Sequence, residues 1–217
     1  MSAQHARGAQ ARIVDHPVVA HRLGILRERG TDAETFRRLV ADIATFVAYE
    51  ALRDLRTVEV RVDTPVADAA PVRRVQEAVL VVPILRAGLG MVPAVQRLLP
   101  HTEVAHVGLR RDEVTFEPVV YLDRLPADLG GRRVVVCDPM LATGGSMAAV
   151  CAMVAARGGG ETIALCVLAS RPGLSRLAGE HPDVRVSCAA VDPELDHRGF
   201  IVPGLGDAGD RLFGPGS

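Results

Sequence analysis

The chain has 217 residues, of which 48% are hydrophobic, and this is enough apolar sequence to bury the core of one domain. Its formal net charge is −1, with 25 basic and 26 acidic residues, so its composition gives no electrostatic argument for binding nucleic acid. All of the basic residues are arginine, and the absence of lysine excludes both a Walker A loop and Schiff-base catalysis.

The N-terminal residues 1–12 are polar and are predicted to form a flexible tail, whereas residues 13–217 are predicted to form a single domain. The longest apolar runs, at 78–85 and 147–156, are shorter than the roughly 18 residues that a membrane-spanning helix needs. Four cysteines lie inside apolar runs without a C-x-x-C pair, which favours core packing over disulfide formation: Cys137, Cys151, Cys166 and Cys188. We therefore expect a cytoplasmic protein.

In chain order, the first strong helix signal begins at a capping box formed by Thr31 and Glu34. Apolar residues then recur at intervals of three and four, which predicts an amphipathic helix to about Leu55. Alternating apolar and polar residues over 57–63 predict a strand with one solvated face. Prolines in the segment 64–74 predict a loop or an edge.

An apolar strand is predicted at 77–85, and glycines after it turn the chain into a helix that ends near Pro100. Arg86 follows this strand directly, at the end where open α/β sheets bind ligands. Gly88 and Gly90 would let pyrophosphate oxygens reach backbone N–H groups. This combination favours a ligand contact for Arg86 over the simpler explanation that it is the first exposed residue after a buried strand.

The next strand is predicted at 103–109, and it leads into a charged turn that contains Arg110 and Arg111. Residues 114–122 alternate well enough to predict a projecting hairpin. A turn is predicted at 126–131, just before the most informative part of the chain.

The segment 134–146 has the most specific chemistry in the sequence. Its β-branched beginning predicts a buried strand of a parallel sheet, and Asp138 lies at the carboxyl end of that strand. Small residues from Thr143 to Ser146 then lead into a predicted helix at 147–157, and the N–H groups and dipole of a helix start bind phosphate. A carboxylate beside such a cradle suits sugar hydroxyls or a magnesium ion, so the segment predicts a sugar-phosphate site.

Strands predicted at 162–169 and 183–191, with Pro172 in the first turn of an intervening helix, complete an alternation of strands and helices. This alternation predicts a parallel sheet covered on both faces. The segment from 192 onwards shows little helix or strand character. Its G-x-G-x-x-G pattern at 204–209 is interpreted as a false match to a dinucleotide-binding loop, because no helix can follow it before the chain ends.

Four ordered segments resemble the uracil phosphoribosyltransferases, which are type I phosphoribosyltransferases: 82–91, 108–113, 138–146 and 203–211. The resemblance implies an α/β fold with an open parallel sheet flanked by helices. A small hood would be formed by the projecting hairpin and by the C-terminal segment, about 192–217. The resemblance also implies that uracil and 5-phospho-α-D-ribose 1-diphosphate (PRPP) are converted into UMP and diphosphate, a pyrimidine-salvage reaction.

The resemblance implies catalytic roles for Arg86, Arg111 and Asp138. It implies PRPP contacts for Arg86, Arg111, Asp138, Pro139, Met140, Leu141, Ala142, Thr143, Gly144, Gly145, Ser146 and Asp207. It implies uracil contacts for Ile201, Gly206, Asp207 and Ala208. No residue is directly assigned to a metal. Mg²⁺ is expected to arrive through the diphosphate, with Asp207 as its candidate protein contact.

The chain departs from the family pattern at Arg110, Val120, Leu122, Arg171 and Pro172. The partners implied are uracil, PRPP, GTP as an effector of some members, and further copies of the chain in a homodimer or larger homo-oligomer. Neither nucleic acid nor membrane is expected. Two alternatives stay open. One is a regulator that binds PRPP together with RNA and catalyses little, and the other is a phosphoribosyltransferase for another base. The near-neutral charge and the intact base-binding segment count against the regulator.

Overall fold

The computed structural model describes residues 11–111 and 118–214, except for the side chain of Arg111. Residues 1–10 of the predicted tail, Asp112 and Glu113 of the charged turn, 114–117 of the predicted hairpin and 215–217 of the predicted hood lie outside the described residues.

The helices in chain order are α1 Pro17–Arg27, α2 Ala33–Ala51, α3 Val92–Leu98, α4 Gly145–Ala156, α5 Arg171–Glu180 and α6 Ala208–Phe213, with a short 3₁₀ helix, Ala87–Met91, before α3. The strands are β1 Ala11–Ile13, β2 Thr57–Thr64, β3 Ala67–Val75, β4 Val79–Leu85, β5 Glu103–Val104, β6 Val107–Arg111, β7 Pro118–Asp123, β8 Arg133–Cys137, β9 Met140–Leu141, β10 Thr162–Leu165, β11 Leu168–Ser170, β12 Arg185–Cys188, β13 Ala190–Asp192, β14 Glu194–Leu195 and β15 Ile201–Val202. Among the described helices, none is long and apolar enough to cross a bilayer.

The main sheet has the strand order β1-β12-β10-β8-β4-β6-β7, and β5 also pairs with β4. Neighbouring strands are parallel except for β6 and β7, which are antiparallel. The predicted open parallel sheet is therefore confirmed.

The core has two layers, because successive side chains of a strand point to opposite faces of the sheet. On β8, Val135 and Cys137 pack in the layer that contains α1, α2, α3 and α6. Val134 and Val136 pack in the other layer, with α4 and α5. All four cysteines are buried and unpaired, as the sequence predicted.

Two predicted strands are each divided in two. The segment predicted as 162–169 forms β10 and β11, and the segment predicted as 183–191 forms β12 and β13. The second halves, β11 and β13, join β9 in a separate three-stranded parallel sheet beyond the carboxyl ends of the main sheet. The break between β10 and β11 occurs where the carbonyl of Pro139 accepts the N–H groups of Val167 and Leu168, at 3.0 and 2.9 Å.

The N-terminal part differs from its prediction in three ways. Regular structure begins at β1, so Ala11 and Arg12 belong to the sheet rather than to the predicted tail. Helix α1 was not predicted at all. The predicted capping box is wrong: α2 is capped by Asp32, whose carboxylate accepts the N–H of Thr35 at 2.8 Å, while the Thr31 hydroxyl donates to another carbonyl.

The segment predicted as loop or edge at 64–74 contains an edge strand, β3, so the second of these alternatives is confirmed. Strands β2 and β3 pair antiparallel in a two-stranded sheet of their own. This hairpin tolerates Pro71 because both of its strands are edges and a ladder partner is needed on one side only. Most of its side chains are exposed.

The C-terminal segment is more regular than predicted. Strands β14 and β15 form a small antiparallel pair, and α6 begins inside the G-x-G-x-x-G pattern. The prediction that no helix follows the G-x-G-x-x-G pattern is therefore wrong. The βαβ context that a dinucleotide site requires is still missing among the described residues, because β15 is paired antiparallel with β14 and α6 has only 6 residues.

Candidate active site

The candidate site lies at the carboxyl edge of the main sheet. Strands β4 and β8 are parallel neighbours, so Arg86 after β4 and Asp138 after β8 emerge at the same edge. A cavity of about 250 Å³ opens there, and its walls come from three distant parts of the chain: Ala87, Asp138, Met140, Ala142, Arg198, Gly199, Phe200, Ile201, Gly206, Asp207, Ala208 and Gly209. The predicted sugar-phosphate segment and the predicted base segment therefore share one cavity.

Asp138 is a carboxyl group with opposing influences on its ionisation. Its backbone N–H donates to the carbonyl of Leu165 at 3.1 Å, which fixes it at the strand end. Burial raises its pKa, the N–H of Met140 at 3.4 Å from Oδ1 lowers it, and the charge of Asp207 raises it. The net result is a pKa of about 7. A positive charge placed in the cavity would therefore be stabilised by ionised Asp138 and Asp207 together.

The predicted phosphate cradle has the expected local geometry. Gly144 caps α4 with a φ of +83°, in the left-handed region that favours glycine. The hydroxyls of Thr143 and Ser146 have no hydrogen-bond partner among the described residues. The N–H groups that open this 12-residue helix and the two hydroxyls are thus available to an anion.

Helix α5 holds the cradle from behind. Ser170 caps α5 by accepting the N–H of Gly173 at 2.9 Å, and its hydroxyl donates to the carbonyl of Ala142 at 2.5 Å. A Cβ on Gly173 would lie 2.3 Å from that same carbonyl oxygen, and one on Gly144 would lie 2.9 Å from the Gly173 carbonyl. The two backbones therefore touch, and this contact fixes the shape of the loop. Pro172 lies in the first turn of α5, as predicted.

Arg86 occupies the predicted place, and the peptide bond before it is cis. Its guanidinium is half exposed and donates to Asp210 Oδ1 at 3.3 Å. Packing requires glycine at position 88, in addition to the predicted approach of pyrophosphate to backbone N–H groups, because a Cβ on Gly88 would lie 2.3 Å from the carbonyl oxygen of Cys137. A Cβ on Gly90 would lie 3.1 Å from the side chain of Leu212, which is likewise packing.

Arg111 is the last residue of β6, and β6 runs parallel to β4, so its backbone reaches the same edge of the sheet. Its side chain lies outside the described residues. Among the departures from the family pattern, Arg110 and Val120 are exposed, whereas Leu122 is partly buried.

The predicted uracil contacts come together on one wall of the cavity. Ile201 and Ala208 are buried, and Gly206 has a φ of +82°. Asp207 caps α6 through Oδ1, which accepts the N–H of Asp210 at 2.9 Å. This bond fixes the carboxylate while leaving its second oxygen for a ligand.

Two arginines that sequence reasoning missed hold this wall in place. Arg27 of α1 binds Asp192 through two hydrogen bonds of 2.7 Å and also donates to the carbonyl of Gly204 at 2.8 Å. Asp192 in turn accepts the N–H of Gly204 at 2.9 Å. Arg211 donates to the carbonyls of Leu26 and Leu205, each at 2.8 Å. We call Arg27, Asp192 and Arg211 the hood clamp.

Arg198 and Phe200 also line the cavity and were not assigned by sequence reasoning. The Arg198 guanidinium lies 4.7 Å from the centre of the Phe200 ring. The only sequence signal was that both precede Ile201 in the predicted hood segment, about 192–217.

The residues fit a magnesium ion only together with a ligand. No group of three or more His, Cys, Asp or Glu able to hold a metal exists among the described residues. Asp138 and Asp207 provide carboxylates at the cavity, and Mg²⁺ ordinarily takes one or two carboxylates with phosphate oxygens and water. This donor set agrees with an ion that arrives with a diphosphate.

Comparison with known proteins gives a consistent result. A family model described as uracil phosphoribosyltransferase matches residues 13–215. A uracil phosphoribosyltransferase of Clostridium kluyveri is 45% identical over 201 residues, which cover 93% of this chain and 96% of the relative.

Solved structures agree at the level of the fold. The structure of the AQ2163 protein from Aquifex aeolicus matches with a TM-score of 0.89 and 33% identity, over 94% of this chain and 98% of that one. An adenine phosphoribosyltransferase from Trypanosoma brucei, solved with AMP, pyrophosphate and ribose-5-phosphate, matches with a TM-score of 0.53 at 15% identity, over 100% of this chain and 95% of that one. The latter likeness concerns the fold alone.

Proposed function

The chain belongs to the uracil phosphoribosyltransferase family, and we propose that the cavity at the carboxyl edge of its sheet is where the reaction takes place. The reaction converts uracil and PRPP into UMP and diphosphate and so salvages a pyrimidine base. The observation that carries the proposal is the shared cavity. It joins Asp138, next to the phosphate cradle, to Ile201, Gly206 and Ala208 of the base wall.

The 5′-phosphate of PRPP binds at the start of α4. The N–H groups of Gly144, Gly145 and Ser146 and the hydroxyls of Thr143 and Ser146 supply the donors, and the helix dipole adds partial positive charge. The segment 139–142 runs from Asp138 to this cradle, and Met140 and Ala142 line the cavity.

The diphosphate lies towards Arg86 and Arg111, which supply positive charge at the edge formed by β4 and β6. Arg86 would exchange its exposed ion pair with Asp210 for the diphosphate, a small loss because exposed ion pairs contribute about 0–1 kcal/mol. Positive charge there favours departure of the diphosphate because it accumulates negative charge as it leaves.

Bond changes occur at the anomeric carbon of the ribose. The N1 atom of uracil forms a bond with C1′, and the bond from C1′ to the diphosphate oxygen breaks with its electron pair going to the diphosphate. The N1 proton is released to water. Positive charge on the ribose ring in the transition state is stabilised by Asp138, which also accepts hydrogen bonds from ribose hydroxyls, and by Asp207.

We propose Mg²⁺ as the cofactor, bound mainly by diphosphate oxygens, with Asp207 and Asp138 as the available protein carboxylates. When bound, the ion neutralises negative charge on the leaving group. Activity that survives removal of divalent ions by a chelator would contradict this part of the proposal.

Uracil is recognised by fixed backbone groups of Ile201, Gly206 and Ala208. These groups cannot reverse their donors and acceptors, whereas cytosine presents an acceptor and a donor exchanged relative to uracil. Each unsatisfied buried group costs roughly 1–3 kcal/mol, so two mismatches imply discrimination on the order of 10²–10⁴. A halogen at carbon 5 changes no hydrogen bond, so 5-fluorouracil should be a substrate.

The proposal is tested by incubating the purified protein with Mg²⁺, PRPP and each nucleobase in turn, and by measuring nucleotide formation. We expect UMP from uracil and 5-fluoro-UMP from 5-fluorouracil, with little product from cytosine or purines. PRPP binding without any nucleotide would indicate the regulator, and faster turnover of another base would indicate the alternative transferase.

We also propose a homo-oligomer, as the family resemblance implies. The β2–β3 hairpin supports it, because this hairpin pairs with no other described strand and Val66 near its tip is 94% exposed. A two-stranded hairpin is marginally stable in water on its own. Light scattering coupled to size-exclusion chromatography should give the mass of two or more chains, and a monomer would contradict the proposal.

Activation by GTP stays a prediction, tested by initial rates with and without GTP.

A further inference from the structure

The turn between β14 and β15 is fixed by Asp196. Its Oδ1 accepts the N–H groups of Phe200 and Arg198, at 2.8 and 2.9 Å, and its backbone carbonyl accepts the N–H of Gly199 at 3.0 Å. Gly199 has a φ of +84°. These contacts set the Cα positions of Arg198 and Phe200, so the side chains start from a rigid frame at the rim of the cavity.

Arg198 is a cation that contacts no carboxylate of the residues that the structure describes. Its guanidinium forms no ion pair or hydrogen bond with another described residue, and Oδ1 of Asp196, two residues before it, already accepts backbone N–H groups. The guanidinium lies 4.7 Å from the centre of the Phe200 ring, and both residues line the cavity beside Ile201. Its five N–H donors therefore remain for a ligand.

Position distinguishes Arg198 from the diphosphate-binding arginines. Arg86 follows β4 and contacts Asp210 of α6, whereas Arg198 precedes the base wall directly in the chain. Among ligands of this cavity, uracil is a flat ring with two carbonyl acceptors, and a guanidinium both stacks on flat rings and donates to carbonyl oxygens.

Resting on the function proposed above, we infer that Arg198 is a specificity-determining residue that donates a hydrogen bond to a carbonyl oxygen of uracil, with the Phe200 ring as its platform. Loss of the N1 proton puts negative charge on the carbonyl oxygens of uracil. The same contact therefore strengthens when the N1 proton leaves, before the new bond from N1 to C1′ takes up that charge.

The test compares Arg198→Met and Arg198→Lys with the matched control Arg97→Met, which removes an exposed arginine of α3 that does not line the cavity. Initial rates are measured with uracil varied at saturating PRPP and then with PRPP varied at saturating uracil. Arg198→Met should lower kcat/KM for uracil by about tenfold or more, the scale of one charge-assisted hydrogen bond, and leave the KM for PRPP unchanged. Arg198→Lys should recover part of the loss, and Arg97→Met should behave as the unaltered protein.

An unchanged kcat/KM for uracil in Arg198→Met would overturn the inference, as would a rise confined to the KM for PRPP, which would place the guanidinium on phosphate. A double-mutant cycle with Phe200→Leu should be non-additive if the ring is the platform, and strict additivity would refute that role. If the unaltered protein makes no UMP, the proposed function itself fails. If it makes UMP and Arg198→Met matches it, only the role of Arg198 fails.

Discussion

At the scale of single residues, the burial of Asp138 opposes the ionisation that its proposed role in catalysis requires. Burial raises its pKa to about 7, so an empty site holds this carboxyl group largely protonated below neutral pH. Binding of a sugar with developing positive charge would favour the ionised form. The residue is thus placed for the ligand rather than for the stability of the empty protein.

We predict that Asp138→Asn lowers kcat by about 10²–10³, the scale of losing one preorganised electrostatic contact. Asparagine has a similar shape but cannot carry the negative charge that stabilises the ribose cation. Steady-state rates of the purified variant measure the effect, and Asp183→Asn, at an exposed acid outside the cavity, is the control. Near-normal turnover would reduce Asp138 to a turn residue.

The same variant should be more stable than the unaltered protein at neutral and alkaline pH. The folded-state pKa of Asp138 is about 7, above its ordinary value of 3.8, so the folded protein binds this proton more tightly than the unfolded chain does. Stability is therefore lost as the pH rises between these two values, and asparagine avoids that loss. Denaturation of the ligand-free proteins should show a difference that grows from pH 4 to pH 7 and then levels off. A difference independent of pH would contradict the raised pKa.

At the scale of elements, α1 illustrates what sequence reasoning could not detect. Its buried residues, Val19, Leu23 and Leu26, have helical spacing, but Val18 and Ile25 are apolar as well and blur the one-sided pattern. The contact that gives α1 its role joins Arg27 to Asp192, 165 positions away. No local pattern can indicate such a pair.

The α2 cap was misplaced for a simpler reason, since Thr31 and Asp32 are both good capping residues and only the backbone selects between them.

We predict that the hood clamp positions the base wall of the cavity. Arg27→Met should raise the KM for uracil more than the KM for PRPP, because the ion pair fixes Gly204 next to the base wall and not the phosphate cradle. It should also destabilise the protein by about 3–5 kcal/mol, because the Asp192 side chain is only 7% exposed and would be left unpaired. Kinetics with each substrate varied and denaturant unfolding measure the two effects.

Arg22→Met is the matched control for the clamp, because Arg22 lies on the same helix in a more exposed 3.4 Å pair with Asp42. The double variant Arg27→Met with Asp192→Asn should be more stable than Arg27→Met alone, since no buried charge is left without a partner. Equal increases in KM for both substrates would show that Arg27 acts on the whole fold rather than on the base wall.

At the scale of the whole molecule, the carboxyl edge of the sheet contains the candidate active site, and the amino edge contains a cluster of ion pairs. The carboxyl edge, with its strand-to-helix turns, was predictable because buried apolar runs end in Arg86 and in Asp138. The alternation of strands and helices likewise predicted the parallel sheet. The amino edge was not predicted, because its arginine and acid partners come from separate strand starts and from the end of α2, which only the folded protein brings together.

That amino edge is held by Arg133, the first residue of β8, whose side chain is 7% exposed. It forms ion pairs with Asp54, Glu77 and Glu161, at 2.7, 2.9 and 2.6 Å. Burial raises the pKa of Asp54, but hydrogen bonds from Arg133 and Arg185 outweigh this and lower it to about 2. These acids lie just after α2, before β4 and before β10, so one guanidinium joins a helix to three strands.

Arg133→Met should therefore destabilise the protein by about 3–5 kcal/mol, because Glu77 is almost fully buried and would lose its buried partner. The adjacent control, Arg132→Met, breaks a pair with the exposed Glu103 and should cost about 0–1 kcal/mol. Both variants should keep the kcat and the KM values of the unaltered protein at temperatures where they are folded, since neither arginine lines the cavity. Denaturant unfolding and steady-state rates on the same preparations check this. Equal stability of the two variants would refute the role of Arg133, and a changed KM for PRPP would show that the amino edge is coupled to the site.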